Sequence, residues 1–214
     1  KNVQFMWKNN NYESFDHFLD FFSSRNRKNL KKERRKIVNQ DLEIKRFTGN
    51  QISSEVVDDF YSFYVDTHLR RSGHSGYLNK DFFGEITKTI ADNILIILAY
   101  KDDRAVAGSF FFYDQNNLYG RYWGASSDFD ALHFECCYYQ GIDFCIEKNI
   151  KRFDPGVQGE HKIKRGFEPT FTYSSHWIEN YDFSLAINDF LIREDKYIKD
   201  YHQDASTLLP FKNI

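Results

Sequence analysis

The spacing of apolar residues along the chain changes from helical to alternating and back, which predicts a mixed α/β fold. The first helical pattern follows Ser14, a residue type that caps helices. Its apolar positions recur at i, i+3, i+4 and i+7: Phe15, Phe18, Leu19 and Phe22. The pattern then thins through a strongly basic stretch, residues 25–36.

Two further helices are predicted before the middle of the chain. A short strand, Leu42 to Phe47, precedes them. The second helix follows Ser53, and the third begins at Asn79 with Leu78 and Phe83 at hydrophobic-staple positions.

The middle of the chain is predicted to form an antiparallel meander. Residues 94–100, 105–113 and 118–123 are apolar or alternating and are separated by short polar turns. A long helix capped near Asp128 or Asp130 is predicted to follow. The remaining predicted elements are a strand at 152–154, a helical turn at 160–165 closed by Gly166, a strand at 170–178 and a helix at 184–201.

Composition narrows the class of protein. Charged residues make up 28% of the 214 residues, the mean hydropathy is −0.64, and no apolar run approaches the roughly 18 residues of a membrane span. The net charge of −2 argues against a uniformly basic nucleic-acid-binding surface. The three cysteines, Cys136, Cys137 and Cys145, cluster on one predicted helix and do not form a disulfide framework. We therefore expect a cytoplasmic protein.

Several long motifs resemble a FemAB-like family within the GNAT acyltransferase superfamily. They are residues 5–16 (FMWKNNNYESFD), 31–35 (KKERR), 119–125 (YGRYWGA), 132–142 (LHFECCYYQGI) and 154–167 (DPGVQGEHKIKRGF). The resemblance implies a GNAT-like fold, with a central antiparallel meander flanked by helices. It also implies that this chain corresponds to the C-terminal portion of longer proteins. We expect residues 1–40 to form a helical segment with a basic arm, and residues 41–214 to form the GNAT-like domain.

The resemblance further implies transfer of an activated acyl or aminoacyl group to an amine. Fem transferases use aminoacyl-tRNA and a peptidoglycan precursor, so these are the expected donor and one expected acceptor. Acyl-CoA is the alternative donor, and no tightly bound cofactor is expected. GNAT enzymes commonly hold the CoA pyrophosphate in a glycine-rich turn before the central helix. Here Ala125-Ser-Ser-Asp-Phe-Asp occupies that place, which favours a Fem-type donor.

Arg121 and Trp123 form the first candidate site. Side chains alternate along a strand, so these two share one face. An arginine beside an indole suits a carboxylate or phosphate ligand. The alternative is an arginine stacked on its own tryptophan and paired with a structural acid.

The predicted long helix carries the second set of candidates. His133 and Glu135 fall in its first turn, where the helix dipole favours a neutral imidazole. A neutral histidine suits a general base, since an attacking amine must lose a proton. The alternative is a capping glutamate and a hydrogen-bonded core histidine. Tyr138 and Tyr139 are included as substrate-binding residues.

Residues 158–165 form the third candidate site, a glycine-flanked charged turn. Glu160 or His161 is placed to accept a proton. Free backbone N–H groups beside the cations suit an anion or an oxyanion. The substrate-binding candidates in this turn are Gln158, Lys162 and Arg165. The alternative is a solvated, self-paired loop.

The basic stretch holds eight Lys or Arg residues and one acid, Glu33. We expect its cations to wrap around a helix, where they suit phosphate or nucleic-acid binding if they are not simply solvated. The candidates are Arg27, Lys28, Lys31, Lys32, Arg34 and Arg35. Arg70, Arg71 and His74 form a second basic spot.

Metal chemistry is not expected, because His133-x-Glu135 lacks the second Cys-x-x-Cys arm of a zinc deaminase. Two functions remain as alternatives to aminoacyl transfer: small-molecule N-acylation from a thioester, and non-enzymatic binding of peptidoglycan or RNA. The enzymatic hypotheses require the strand with Arg121, the start of the long helix and the Glu-His-Lys turn to meet in one cleft. The oligomeric state does not follow from the sequence.

Overall fold

A computed structural model describes residues 1–157 and 159–212. Its strands are β1 (Asn2–Lys8), β2 (Glu43–Thr48), β3 (Ile94–Lys101), β4 (Arg104–Tyr113), β5 (Asn117–Ala125), β6 (Arg152–Asp154) and β7 (Glu168–Thr172). Its α-helices are α1 (Phe15–Asp20), α2 (Ser24–Asn39), α3 (Ser54–Ser72), α4 (Lys80–Thr89), α5 (Leu132–Phe134), α6 (Gln140–Glu147) and α7 (Tyr181–Thr207). A π-helical segment, Glu135–Tyr139, joins α5 to α6, and we call the continuous residues 132–147 the central helix. A 3₁₀ helix covers Glu160–Arg165.

The strands form one sheet in the order β2-β3-β4-β5-β6-β1-β7. The predicted meander β3-β4-β5 is present, and all neighbouring pairs are antiparallel except β5 and β6, which are parallel. Two apolar layers cover the sheet. One packs α1, α2 and the central helix against one face, and the other packs α3 and α4 against the opposite face. Buried β3 residues alternate between these layers, because successive strand side chains point to opposite faces.

Strand β1 is the element that the sequence pattern left unpredicted. Val3, Phe5 and Trp7 are buried at alternating positions, which is the period of a strand. The strand lies between β6 and β7, with Trp7 opposite Phe153 and Phe5 opposite Pro169. Residues before 40 therefore contribute a strand to the sheet as well as two helices.

Three predicted boundaries differ from the structure. The central helix begins after Ala131, which has φ 65°, and not after an aspartate cap. Asp130 contacts α2 and the residue after it instead: its carboxylate pairs with Lys36, and its backbone N–H donates to the side chain of Gln40. The final strand ends at Thr172 instead of residue 178, and α7 extends beyond both predicted ends. Across residues 1–157 and 159–212, no helix combines the length and apolarity needed to cross a bilayer.

Strands β5 and β6 pair over only three residues each. Their register runs from Asn117 opposite Arg152 to Tyr119 opposite Asp154, and beyond these residues the strands part. Next to the parting, the β4–β5 register shifts between Phe110 and Phe111. Arg121 is thereby left without a partner, as the extra residue of a β-bulge. The sheet is open at this point, and the central helix and α3 flank the opening.

Helix α3 approaches β5 most closely at Gly124. A Cβ atom there would lie 2.3 Å from the carbonyl oxygen of Phe63, a backbone atom that cannot move aside alone. Gly124 therefore sets the distance between α3 and the strand that carries Arg121 and Trp123.

We expect Gly124→Ala to lower the free energy of unfolding by about 1–3 kcal/mol, the usual cost of overpacking. The matched control is Gly84→Ala in α4, where a Cβ atom would meet nothing within 4 Å. The control should be neutral or gain up to about 1 kcal/mol from helix propensity. Urea denaturation of both variants measures the difference, and equal stabilities would contradict the close contact.

A candidate active-site cleft where two strands part

A cleft of about 630 Å³ opens where β5 and β6 separate. Four parts of the described chain supply its walls: α3, the end of β5, the central helix, and residues 155–157 with 161–162. The polar and aromatic residues that line it are Thr67, His68, Arg71, Ser72, Arg121, Tyr122, Trp123, His133, Tyr138, His161 and Lys162. The strand with Arg121, the start of the central helix and the Glu-His-Lys turn thus meet in one space, as the transferase hypothesis requires.

The π-helical segment explains why His133 and Tyr138 share the cleft. In an α-helix, residues five apart point in different directions, whereas i→i+5 hydrogen bonding widens the turn and brings them to one side. Here the N–H of Gln140 donates to the carbonyl of Glu135, five residues earlier. The rings of His133 and Tyr138 consequently lie 5.4 Å apart between centroids.

A histidine pair and a tyrosine form the centre of the cleft. The Tyr138 hydroxyl and Nε2 of His161 are 2.8 Å apart and share a hydrogen bond. The ring of His133 packs against Trp123 at 5.4 Å and lies 6.2 Å from the ring of His161. The hydrogen bond therefore fixes the orientation of the His161 ring within the cleft.

Burial holds both imidazoles in their neutral forms at neutral pH. It lowers the pKa of His133 to about 4, and the nearby charges of His161 and Arg165 act in the same direction. Burial also lowers the pKa of His161, followed by the charges of Arg165 and Lys162. The direction for His133 agrees with the sequence argument, but the main cause is removal from water and not the helix dipole.

Lys162 is a buried cation at the floor of the cleft. Its side chain is 1% exposed, and its ammonium donates a hydrogen bond to the carbonyl of Gly156. Burial lowers its pKa to about 8, against the opposing charge of Asp154. Gly159, with φ 108°, makes this turn possible, because a Cβ atom there would lie 2.2 Å from the His161 ring. The cleft therefore contains a cation that is mostly protonated at pH 7.

Glu135 does not reach the cleft, so its predicted catalytic role does not fit its position. It is buried on another side of the central helix, where its carboxylate accepts hydrogen bonds from Arg34 at 2.9 and 3.2 Å. Gln140 donates to it at 2.7 Å, and Arg34 also bonds Asp143 at 2.8 Å. Arg34 therefore joins α2 to the central helix, and its guanidinium is not available to bind phosphate.

Tyr139 and Arg165 are likewise bound within the protein and not directed at the cleft. Arg165 donates to both carboxylate oxygens of Glu33 at 2.9 Å and to the Tyr139 hydroxyl at 3.1 Å. Its guanidinium stacks on Phe134 at 3.4 Å, and Tyr139 also bonds Glu33. Direct substrate binding by either residue does not fit this geometry. We call the Arg34–Glu135 and Glu33–Arg165 pairs, with their neighbours, the ionic layer.

Glu160 lies outside the cleft, in an adjacent groove. Its carboxylate accepts a hydrogen bond of 2.8 Å from the Tyr201 hydroxyl. His161 lines both the cleft and this groove. Gln158, predicted to bind substrate, lies outside the described residues.

The structure divides the basic stretch into two sets. Arg27 and Lys31 form partly exposed ion pairs with Asp20 and Asp16. Lys28, Lys32 and Arg35 are exposed and make no ion pair within the part of the chain that the structure describes. Phosphate binding by α2 therefore remains a prediction for these three residues.

Helix α3 contributes Thr67, His68, Arg71 and Ser72 to the cleft. Arg71 belongs to the second basic spot of the sequence, whereas His68 was not singled out. Nδ1 of His68 lies 2.8 Å from the carbonyl oxygen of Tyr64, one turn earlier. The only sequence signal for His68 is a polar residue continuing the aromatic stripe of α3. Among residues 1–157 and 159–212, no group of three or more His, Cys, Asp or Glu side chains is arranged to hold a metal ion.

Comparison with known proteins decides the family. The sequence model of the FemAB-like family, described as peptidoglycan biosynthesis/recognition, matches residues 1–213. The chain belongs to the FemAB-like family. No curated protein matches it by sequence.

Solved structures share the fold of this FemAB-like chain at low sequence identity. FemX superposes with a TM-score of 0.55 at 12% identity, over 86% of this chain and 56% of FemX. L-PGS from Bacillus licheniformis gives 0.51 at 14% identity, over 73% of this chain and 46% of the other. The C-terminal domain of a putative lysylphosphatidylglycerol synthetase from Agrobacterium fabrum gives 0.51 at 12%, with the same coverage. The fold is GNAT-like, and the chain spans about half the length of these structures.

The depressed pKa of His133 predicts an acid-sensitive stability. The unfolded chain binds a proton at this residue below about pH 6.5, whereas the folded chain does so only near pH 4. Stability from this group is therefore present above pH 6.5 and is lost as the pH falls toward 4. We expect wild type to lose about 1 to 2 kcal/mol more than His133→Gln between pH 7 and pH 5.

Urea denaturation at the two pH values measures this difference. His176→Gln is the control, since His176 is exposed and lies outside the cleft. Parallel pH profiles for wild type and His133→Gln would show that His133 is not held neutral by the fold.

Proposed function

We propose that this FemAB-like chain carries the catalytic cleft of a transferase that joins an activated acyl or aminoacyl group to an amine. The FemAB-like family and the fold shared with FemX support an enzyme of the transferase class. The observation that carries the proposal is the pairing, in one cleft, of neutral imidazoles with a buried lysine and two arginines.

The proposed reaction needs a proton acceptor. An amine attacks the acyl carbon of an ester or thioester, and the C–N bond forms as the C–O or C–S bond breaks. The attacking nitrogen must lose a proton, which a neutral imidazole can accept. His161 is placed for this role, and its hydrogen bond to Tyr138 orients the ring. The departing alkoxide or thiolate then takes up a proton, so that charge is conserved.

The cations of the cleft suit an anionic donor. Arg71, Arg121 and Lys162 line it, and among residues 1–157 and 159–212 no Asp or Glu side chain does. Phosphates occur in both aminoacyl-tRNA and acyl-CoA, and the cleft chemistry fits either. The absence of a glycine-rich turn at residues 125–130 favours aminoacyl-tRNA. The description of the family makes a peptidoglycan precursor the proposed acceptor.

Lys162→Met tests the anion site. The substitution removes the buried charge but keeps a long apolar side chain, so the fold should survive. We expect the KM for the donor to rise at least tenfold at pH 7, with a smaller change in kcat, because a charge-assisted hydrogen bond is lost. In wild type, donor binding should weaken as the pH rises through about 8, since the ammonium loses its proton there.

The matched control for Lys162 is Lys148→Met, an exposed lysine outside the cleft. It should leave KM within twofold of wild type. Two results would show that Lys162 is not part of the proposed site. One is a wild-type KM for Lys162→Met, and the other is a Lys162→Met variant whose donor binding still weakens as the pH rises through about 8.

The proton acceptor is tested with His161→Gln. We expect kcat to fall about 10²- to 10⁴-fold, the usual contribution of a positioned base. Tyr138→Phe should cause a smaller loss, since it removes only the hydrogen bond to His161. His176→Gln serves as the control.

Product formation is measured by mass spectrometry, with aminoacyl-tRNA and acyl-CoA supplied in separate reactions. Product from the thioester alone would exclude the tRNA donor. Persistent ligand binding without product from either donor would overturn the transferase proposal in favour of a binding protein.

A further inference from the structure

A second concave surface of about 610 Å³ lies beside the cleft. It runs between α2 and the 3₁₀ helix, and we call it the amide groove. Its polar lining consists mainly of Asn26 and Asn29 on α2 and Glu160 and Lys164 on the opposite wall, over an apolar floor that includes Leu30 and Ile163. Among the residues that the structure describes, His161 alone lines both the groove and the cleft.

Helix α2 contributes no cation to this groove. The helix carries eight Lys and Arg residues, yet none of them lines the groove. The positions that do line it are Asn26, Asn29, Leu30 and Glu33. This spacing of three and four residues marks one helix face. A strongly basic helix therefore turns a face without cations toward the groove.

The ionic groups of the groove balance, in contrast to those of the cleft. Glu33 neutralises Arg165 at 2.9 Å. Glu160, which lies next to His161 in the sequence and accepts a hydrogen bond from Tyr201, and Lys164, one turn further on, provide one more charge of each sign. The cleft contains three cations and no acid. The two spaces thus suit different ligands: an anion in the cleft and a polar molecule of balanced charge in the groove.

We propose that the amide groove holds the acceptor as an amine-bearing peptide, with its amine directed toward His161. Asn29 matches the donors and acceptors of peptide bonds, because side-chain amides both donate and accept. Asn26 donates one hydrogen bond of 3.3 Å to the Pro210 carbonyl and keeps its amide oxygen as an acceptor. Glu160 attracts the ammonium beside His161, and Lys164 attracts a carboxylate further along. The groove volume lies within the range of ordinary ligand sites.

Binding of the peptide in the groove does not depend on the proposed function. Only the next step, acylation of the bound amine, rests on it. In the cleft, the donor occupies the cationic side of His161. An amine that reaches His161 from the groove meets the proposed base at the boundary between the two spaces. The groove thereby separates the two substrates by charge before they react.

The test measures binding of a defined peptide to the full chain by isothermal titration calorimetry. The probe is acetyl-Ala-Ala-Lys, which carries one ammonium and one carboxylate, and its partner has the lysine amine acetylated. We expect the free amine to bind at least tenfold more tightly than the acetylated peptide. Asn29→Lys, which adds a cation to the exposed groove face, should weaken the free-amine peptide at least tenfold.

Lys28→Asn is the matched control, because residue 28 is exposed on the same helix but does not line the groove. It should change the affinity less than twofold. Glu160→Gln, which can keep the hydrogen bond to Tyr201, should lose the preference for the free amine.

The outcomes separate the groove from the proposed function. Peptide binding that depends on Asn29 and Glu160, without acyl transfer from any donor, supports the groove and overturns the transferase. Transfer with an acceptor KM unchanged by Asn29→Lys overturns the groove and leaves the transferase standing. No peptide binding, or binding that Asn29→Lys does not weaken, also overturns the groove.

Discussion

The early end of the β5–β6 pairing is the constraint on which the cleft depends. Parallel strands normally satisfy each other's backbone groups along their length. Here pairing stops at Tyr119 and Asp154, so the backbone beyond needs other partners. Lys162 supplies one of them through its bond to the Gly156 carbonyl. The same side chain that compensates for the gap in the sheet thus brings a positive charge into the cleft.

The ionic layer is the second constraint, because it fixes the central helix relative to α2. Arg34 and Arg165 each bridge two elements, and both arginines also stack on aromatic rings. Removing one partner of a buried ion pair typically costs about 3–5 kcal/mol, since the other charge stays buried and unpaired. Several side chains that the sequence suggested as catalytic or substrate-binding groups therefore make structural contacts instead. His133 and Tyr138 can face the cleft because Glu135 and Tyr139 are anchored on the other side.

The sequence predicted most of the helices and strands, and it predicted that three motifs lie in one cleft. The features that it did not predict were missed for physical reasons. The meander and helices α3 and α4 follow from local periodicity, which is visible in a single chain. Strand β1 was missed because its partners lie about 150 residues away. The direction of Glu135 and Tyr139 depends on a π-helical segment, whose changed hydrogen bonding leaves no periodic signal. The pairing of Arg34 and Arg165 depends on tertiary contacts, so cations that look alike in sequence have different roles.

The position of β1 also constrains the order in which the chain assembles. Both of its neighbours, β6 and β7, lie within residues 152–172, so a ribosome must complete most of the polypeptide before β1 finds a partner. The β3–β4 and β4–β5 hairpins have much shorter loops to close, which favours their earlier formation. During synthesis, the segment with the apolar residues Val3, Phe5 and Trp7 therefore remains unpaired, and exposed apolar strands of this kind are prone to aggregate. The half of the sheet that completes the cleft thus closes through the strand pairings of greatest sequence separation, which are the slowest type of pairing to form.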